Sequence, residues 1–392
     1  MLRRRFIGAA ERSKIGARRR LTRPGGRERQ AAMTVVARFE IEYTQYLDHR
    51  GNIVRPLPAF ARDARALIDD YRAMVLMRAL DAKAIALQRT GQIGTYASTL
   101  GKEAIDAGVG AVLARDDVLL PSYRESGILF LRGISPHRVL LYWGGDERGN
   151  EFPESPHDFP FCVPIALQLP HAVGVAYAIK LRGERRAVLA VCGDGATSKG
   201  DFYEAINAAG VWKLPLVVLI VNNQWAISVP RKSQTAAATL AQKGVAAGIH
   251  GEQFDGNDAI AVRDVVGRAL ARARGGDGPS LLEAITYRLS DHTTADDASR
   301  YRSADELAEM WKREPIVRLR DWLVAQGVWD RAQEEKLRAE VAERVQQAVQ
   351  AYLATPPPDP RQMFAHVYAE WPRAYAWQLE ALEAGDGGDH AR

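Results

Sequence analysis

Asp194, flanked by Gly193 and Gly195, and an Asn222-Asn223 pair that follows after 26 intervening residues are residue types able to hold a metal-bound diphosphate. Magnesium takes a near-octahedral shell of hard oxygens, commonly one or two from protein carboxylates or amides and others from a bound phosphate. Asp194 supplies the charge and an Asn side chain supplies a neutral oxygen. The two glycines let the backbone come close to the diphosphate. Either motif alone is an ordinary turn, and it is the pair, at this spacing, that predicts a site.

Such a pair needs a scaffold that brings both ends together. Residues 187–192 are a short apolar run of the kind that forms a buried strand of a parallel sheet, and Gly193-Asp194-Gly195 is its exit turn. From 201 to 212, Phe202, Ala205, Ile206, Ala209 and Trp212 recur at three- and four-residue intervals, which predicts a helix that Lys213-Leu214-Pro215 ends. Residues 216–221 make a second apolar run. A right-handed strand-helix-strand crossover sets the two strands parallel and close together. Asp194 and Asn222-Asn223 then emerge at one carboxyl-terminal sheet edge, where open α/β sheets bind ligands and a helix amino terminus offers N–H groups to phosphates.

The Gly-Asp-Gly to Asn-Asn pattern resembles that of thiamine diphosphate enzymes. The text Val191-Cys192-Gly193-Asp194-Gly195-Ala196-Thr197-Ser198-Lys199-Gly200-Asp201-Phe202-Tyr203-Glu204-Ala205 resembles the alpha subunits of the first component of 2-oxo acid dehydrogenase complexes, the group of the pyruvate and branched-chain enzymes. The resemblance implies an α/β, thiamine diphosphate-binding fold, with a mostly parallel sheet, helices on both faces and a helical carboxy-terminal extension. It implies thiamine diphosphate and magnesium as cofactors. Gly193, Asp194, Gly195, Ala196 and Asn223 would meet the diphosphate, and Asp194, Asn223 and the main chain of Trp225 would bind the metal.

Further matches extend the implied site. Asp116 and, after six residues, Tyr123-Arg124 resemble a segment that reaches the diphosphate, and an Arg guanidinium offers phosphate oxygens a rigid fork of donors. The segment 163–170 would present Val163 and Ile165 to the aminopyrimidine ring. The run from Asp291 to Arg302 resembles a loop that orders over the cofactor. In it His292, whose ordinary pKa suits proton transfer, is the implied catalytic residue. Asp201 and Glu204 lie one helical turn apart, where relatives carry acids between active sites. Val221 stands where some branched-chain relatives have an Arg, and Thr293-Thr294 where some carry a phosphorylated Ser.

The resemblance also implies partners. A beta subunit would supply the carboxylate that activates the cofactor, in an α2β2 heterotetramer, because the chain has room for one cofactor-binding domain plus extensions. A lipoyl-bearing acyltransferase component would take the acyl group. The substrate would be a small 2-oxo acid, pyruvate on the look of residues 143–170, with 3-methyl-2-oxobutanoate as the alternative. A non-catalytic assembly subunit is the remaining alternative, but such a scaffold has no physical need for the Asp194, Asn223, Tyr123, Arg124 and His292 set.

Bulk properties narrow the field. Residues 1–30 hold eleven Arg or Lys against two Glu, a local balance of +9, so a formal charge of +5 leaves −4 on the other 362 residues. A mildly acidic body gives no general argument for nucleic-acid binding. No apolar stretch approaches a membrane span, and Cys162 and Cys192 make no disulfide framework. The expected organisation is a disordered basic arm over 1–36, a cofactor domain over 37–340 and a helical carboxy-terminal segment with a flexible tail over 341–392. The arm is either an over-long start, with Met33 as initiator and a cytoplasmic protein, or an Arg-rich targeting peptide for the mitochondrial matrix.

Overall fold

A computed structural model describes residues 35–365 and 367–385. Most of the basic arm expected at 1–36, and residues 386–392 of the expected tail, lie outside the described residues. The chain divides into Met1–Glu40 and Ile41–Arg392. In the first unit, residues 35–40 carry no helix or strand.

In the second unit the strands are β1 (Glu42–Thr44), β2 (Val118–Leu120), β3 (Val188–Gly193), β4 (Leu216–Asn222), β5 (Trp225–Ala226), β6 (Val229–Pro230), β7 (His250–Asp255) and β8 (Ser280–Ile285). Six of them form one sheet in the order β1-β7-β8-β4-β3-β2, with every neighbouring pair parallel. The remaining two, β5 and β6, make a small antiparallel hairpin just past β4. The helices up to residue 354 are α1 (Ile68–Arg89), α2 (Glu103–Gly110), α3 (Ser126–Leu131), α4 (Pro136–Trp143), α5 (Gln168–Leu181), α6 (Gly200–Trp212), α7 (Lys243–Ala246), α8 (Ala259–Gly275), α9 (Ala304–Trp311), α10 (Pro315–Ala325) and α11 (Arg331–Ala354).

The period-two alternation of strands sorts the core into two layers. Leu189, Val191, Val217, Leu219 and Val221 face α1, α2, α8, α10 and α11. Val188, Ala190, Cys192, Leu216, Val218 and Ile220 face α5 and α6. Both faces of β3 and β4 are therefore covered, which is why these strands read as continuous apolar runs. The expected strand-helix-strand unit is present as β3-α6-β4, with Gly193 level with Val221 across the ladder.

Local hydrogen bonds set the bounds of several elements. A 3-10 turn at Ala64–Leu67, capped by Asp63 accepting from the Arg65 N–H at 3.0 Å, leads directly into α1 at Ile68. Helix α2 ends at Gly110, and Asp117 secures the following turn by accepting from the Ala114 N–H at 2.8 Å. Strand β8 stops at Ile285. Its continuation still runs beside β4's exit, with the Thr286 and Arg288 N–H groups bonded to the Asn222 and Asn223 carbonyls at 3.0 and 3.2 Å. The loop over 143–162 contains a 3-10 turn at Glu147–Asn150 and is tied down at Asp158, which accepts from the Leu119 N–H at 2.9 Å and from Arg132 at 2.8 Å.

The expected division at 340/341 falls inside α11, which runs unbroken from a capping box at Asp330 and Gln333. Its stripe of Leu337, Val341, Val345 and Val349 joins the same core as α1, so residues before and after 340 share one packed layer. After Ala354 the chain forms a short helix at Gln362–Ala365 and an aromatic cluster of Phe364, Tyr368, Trp371 and Tyr375. No described helix is long and apolar enough to cross a membrane.

Candidate active site

At the carboxyl edge of β3 the chain turns through a 3-10 segment, Asp194–Ser198. Asp194 is 2% exposed, and its Oδ2 accepts from Gln234 Nε2 at 2.9 Å. Burial pushes its carboxyl up to about 6, only partly offset by the Gln234 bond, turn amides and the more distant Arg288 charge. A buried carboxylate with so little compensation is prepared for a cation. A side chain at Gly195 would bring a Cβ within 2.6 Å of Ala226 Cβ, so glycine is what lets the turn and the hairpin close on each other. A Cβ at Gly193 would meet no protein atom within 4 Å and would enter open space.

The two asparagines at the end of β4 do different work. Asn222 is buried, and its Nδ2 donates to Glu283 Oε1 of β8 at 2.7 Å. Glu283 Oε2 also accepts from the Leu240 and Ala241 N–H groups at 2.7 and 3.0 Å and from Gln253 Nε2 at 2.9 Å. Asn222 is thus an anchor, and Asn223 is the residue carried forward. Asn223 Oδ1 accepts from the Trp225 N–H at 3.1 Å. The turn beyond is strained: Gln224 has φ +72° and Ile227 φ +54°. For a β-branched residue that conformation costs on the order of 1–2 kcal/mol.

These pieces border a cavity of about 240 Å³. Tyr123, Arg124, Ile165, Gly193, Asp194, Gly195, Ala196, Asn223, Trp225 and His292 all line it. Val163 does not. It is 53% exposed, and Cys162 and Ile165 form the wall on that side. Asp201 pairs with Lys199 at 3.0 Å and, like Glu204, lies off the cavity wall. Val221 and both cysteines line the cavity, and burial pushes both thiols up.

Arg124 and His292 are brought together across 168 residues of sequence. Arg124 Nη2 donates to the His292 carbonyl at 2.8 Å and approaches His292 Nδ1 at 3.3 Å. A guanidinium only donates, so Nδ1 is the acceptor and the neutral ring carries its proton on Nε2. The Tyr123 ring meets His292 edge-on at 6.2 Å. Asp296 Oδ2 accepts from the His292 N–H at 2.8 Å and from the Tyr301 hydroxyl, and Arg288 donates to Tyr301 at 2.6 Å. The loop carrying His292 is therefore fastened to the end of β8.

Burial and the Arg124 and Arg288 charges hold the His292 imidazolium down to about 4. Titration by nuclear magnetic resonance should place its midpoint near 4 in the cofactor-free protein, and Arg288→Gln should raise it. A midpoint at the ordinary 6.5 in both would contradict this electrostatic picture.

Other groups at the site carried no motif. Lys102, buried on the cavity wall, donates to Asp106 and to the Arg124 carbonyl at 3.0 Å and lies 3.4 Å from Glu125. Glu125 in turn accepts from the Ser122 N–H at 2.7 Å and the Ser122 hydroxyl at 2.5 Å. Lys102 and Glu125 thereby staple the turn that presents Tyr123 and Arg124. A lysine and an aspartate four apart in an apolar helix start were the available signal. For Glu283 it was a single acid in the middle of an apolar strand.

Among the described residues no three His, Cys, Asp or Glu gather to hold a metal. A cation held by one carboxylate and neutral oxygens completes its shell with water or with a ligand's oxygens, as magnesium does with phosphates. An under-compensated Asp194, an amide oxygen on Asn223 and open space at Gly193 fit a metal-bound diphosphate.

The sequence pattern of the family described as "Dehydrogenase E1 component" matches residues 71–361. The chain is 42% identical over 314 residues to the 3-methyl-2-oxobutanoate dehydrogenase subunit alpha of Mycobacterium tuberculosis (strain ATCC 25618 / H37Rv), spanning 80% of this chain and 86% of that protein. It is 38% identical over 342 residues to the pyruvate dehydrogenase E1 component subunit alpha of Staphylococcus aureus (strain N315), spanning 87% and 92%.

Proposed function

This chain belongs to the dehydrogenase E1 component family, and on that premise we propose how its residues share the work of a 2-oxo acid dehydrogenase. It is the alpha subunit of a thiamine diphosphate-dependent, decarboxylating first component, and such a subunit works with a beta subunit. The observation that carries the residue assignments is Asp194, a buried carboxylate with one side-chain partner, facing a cavity across from Asn223.

Asp194, Asn223 Oδ1 and the Trp225 carbonyl hold magnesium. Arg124, with Tyr123 beside it, and the Gly195 and Ala196 amides hold the diphosphate. Ile165, with Cys162 beside it, faces the ring system. When bound, thiamine diphosphate supplies the electron sink that lets carbon dioxide leave a 2-oxo acid. His292, kept neutral with a proton on Nε2, donates a hydrogen bond to negative charge developing on the substrate oxygen. The apolar wall of Ile165, Val221, Ala196 and Ile227 excludes water.

The active assembly is an α2β2 heterotetramer that passes its acyl group to a lipoyl-bearing acyltransferase component, in the cytoplasm. Pyruvate is the first reading of the substrate. The 42% identity to the Mycobacterium tuberculosis subunit favours a second, 3-methyl-2-oxobutanoate. Steady-state rates of the αβ complex on both acids decide, and a preference above tenfold for the branched acid would replace pyruvate. Purified alone, the alpha chain should show negligible decarboxylation. Calorimetric titration of the αβ complex with thiamine diphosphate should show binding that depends on magnesium, and equal binding without it would remove the metal from the site.

A further inference from the structure

Next to the Asp194 turn, and not on the cavity wall, lies a cation whose hydrogen bonds go to none of the groups assigned to metal, diphosphate or substrate. Lys243, at the start of α7, is 6% exposed. Its Nζ donates to the Thr197 carbonyl at 2.7 Å and to Thr197 Oγ1 at 2.9 Å. It lies 5.2 Å from the centre of the Tyr203 ring and 5.8 Å from that of Phe202. The ion pairs of the described residues include those of Lys102, Lys199, Lys312 and Lys336, but none of Lys243.

A buried ammonium without a carboxylate is expensive to keep, and two aromatic faces and two neutral oxygens repay only part of its lost hydration. The hydrogen bonds alone would not require a charge, since a neutral amide could donate to Thr197. The Thr197 hydroxyl gives the charge a use. It accepts from Lys243 and donates to the Asp194 carbonyl at 2.8 Å, so the ammonium is two hydrogen bonds from the backbone of the residue assigned to the metal. The turn between them is five residues long and carries Gly195 and Ala196 on the cavity wall.

We propose that Lys243 is a positioning residue for the diphosphate. Through Thr197 it holds the Asp194 backbone, and its unpaired charge favours an anion on the far side of the same turn. Lys243 and Thr197 are both buried, so a positive charge one turn away is weakly screened by water. The assignment rests on the diphosphate reading of the cavity and deepens it.

The test uses the αβ complex with magnesium and measures calorimetric affinity for inorganic diphosphate and for thiamine diphosphate. Lys243→Met, which keeps the length and removes the charge, should weaken both by roughly tenfold, the scale of a charge acting on a nearby backbone terminus. Lys243→Arg should restore most of the loss, which a purely space-filling role would not require. The thermal midpoint of the cofactor-free complex should not fall with Lys243→Met. Should that variant fail to assemble, Lys243→Gln keeps a donor for Thr197 without the charge and is expected to weaken binding in the same way. Wild-type affinity in the neutral variant, or a lowered midpoint with unchanged affinity, overturns the assignment alone. If the wild-type complex binds neither ligand, the diphosphate reading itself falls.

Discussion

Asp194→Asn should abolish useful cofactor binding while making the cofactor-free protein more stable. The carboxylate has one side-chain partner, Gln234, and burial raises its pKa from 3.8 to about 6. Each pKa unit corresponds to about 1.4 kcal/mol, so keeping this group ionised at neutral pH costs the fold up to about 3 kcal/mol. A raised carboxyl pKa means that the folded state binds the proton more tightly, so stability is present below about pH 4 and is lost as pH rises through about 6. Asn avoids that loss, and its thermal midpoint should exceed that of wild type at about pH 7.5 and converge with it near pH 4.

For thiamine diphosphate affinity the expected change is on the order of a thousandfold, beyond the tenfold to hundredfold that follows loss of a residue merely supporting a metal ligand. Magnesium titration of the αβ complex measures it. An Asn variant that binds the cofactor like wild type would show that Asp194 is not the metal's carboxylate. One that is less stable than wild type above neutral pH would show that Gln234 and the turn amides compensate the charge more fully than the geometry indicates.

The second large effect concerns stability. Glu283→Ala removes the acceptor for four donors: the Leu240 and Ala241 N–H groups, Gln253 Nε2 and Asn222 Nδ2. A buried donor left without a partner costs roughly 1–3 kcal/mol. Even with water entering to serve some of them, the loss should be about 4 kcal/mol, read from chemical unfolding. Glu283→Gln offers one oxygen where the carboxylate offers two, and should cost about half as much. Activity should fall in both, because Asn222 loses its anchor and Asn223 its fixed departure from β4. An Ala variant within about 1 kcal/mol of wild type would mean that Glu283 is dispensable as a tie.

Much of this was legible in the residues alone. The apolar runs ending in Gly193 and Asn222, with a helical period between them, locate β3-α6-β4 and its functional edge. That worked because short-range pattern and long-range topology agree there. Tyr123, Arg124 and His292 were reachable through resemblance, not through spacing: 168 residues separate Arg124 from His292, and no periodicity encodes that meeting. The pairings of Asp194 with Gln234 and of Asn222 with Glu283 were unreadable for the same reason. The division at 340 failed because the charged surface of α11 hides a stripe at four-residue intervals that joins the main core.

The tie at Glu283 also bears on how this protein can be rebuilt. It joins the end of β4, the approach to α7, the strand β7 and the middle of β8, stretches of chain up to 61 residues apart. Chimeras with relatives that take β4 from one parent and β8 from another would have to match an amide to a carboxylate and a loop to both. Exchanged as a block, residues 216–285 should carry their own wiring, and the natural crossover points lie outside them.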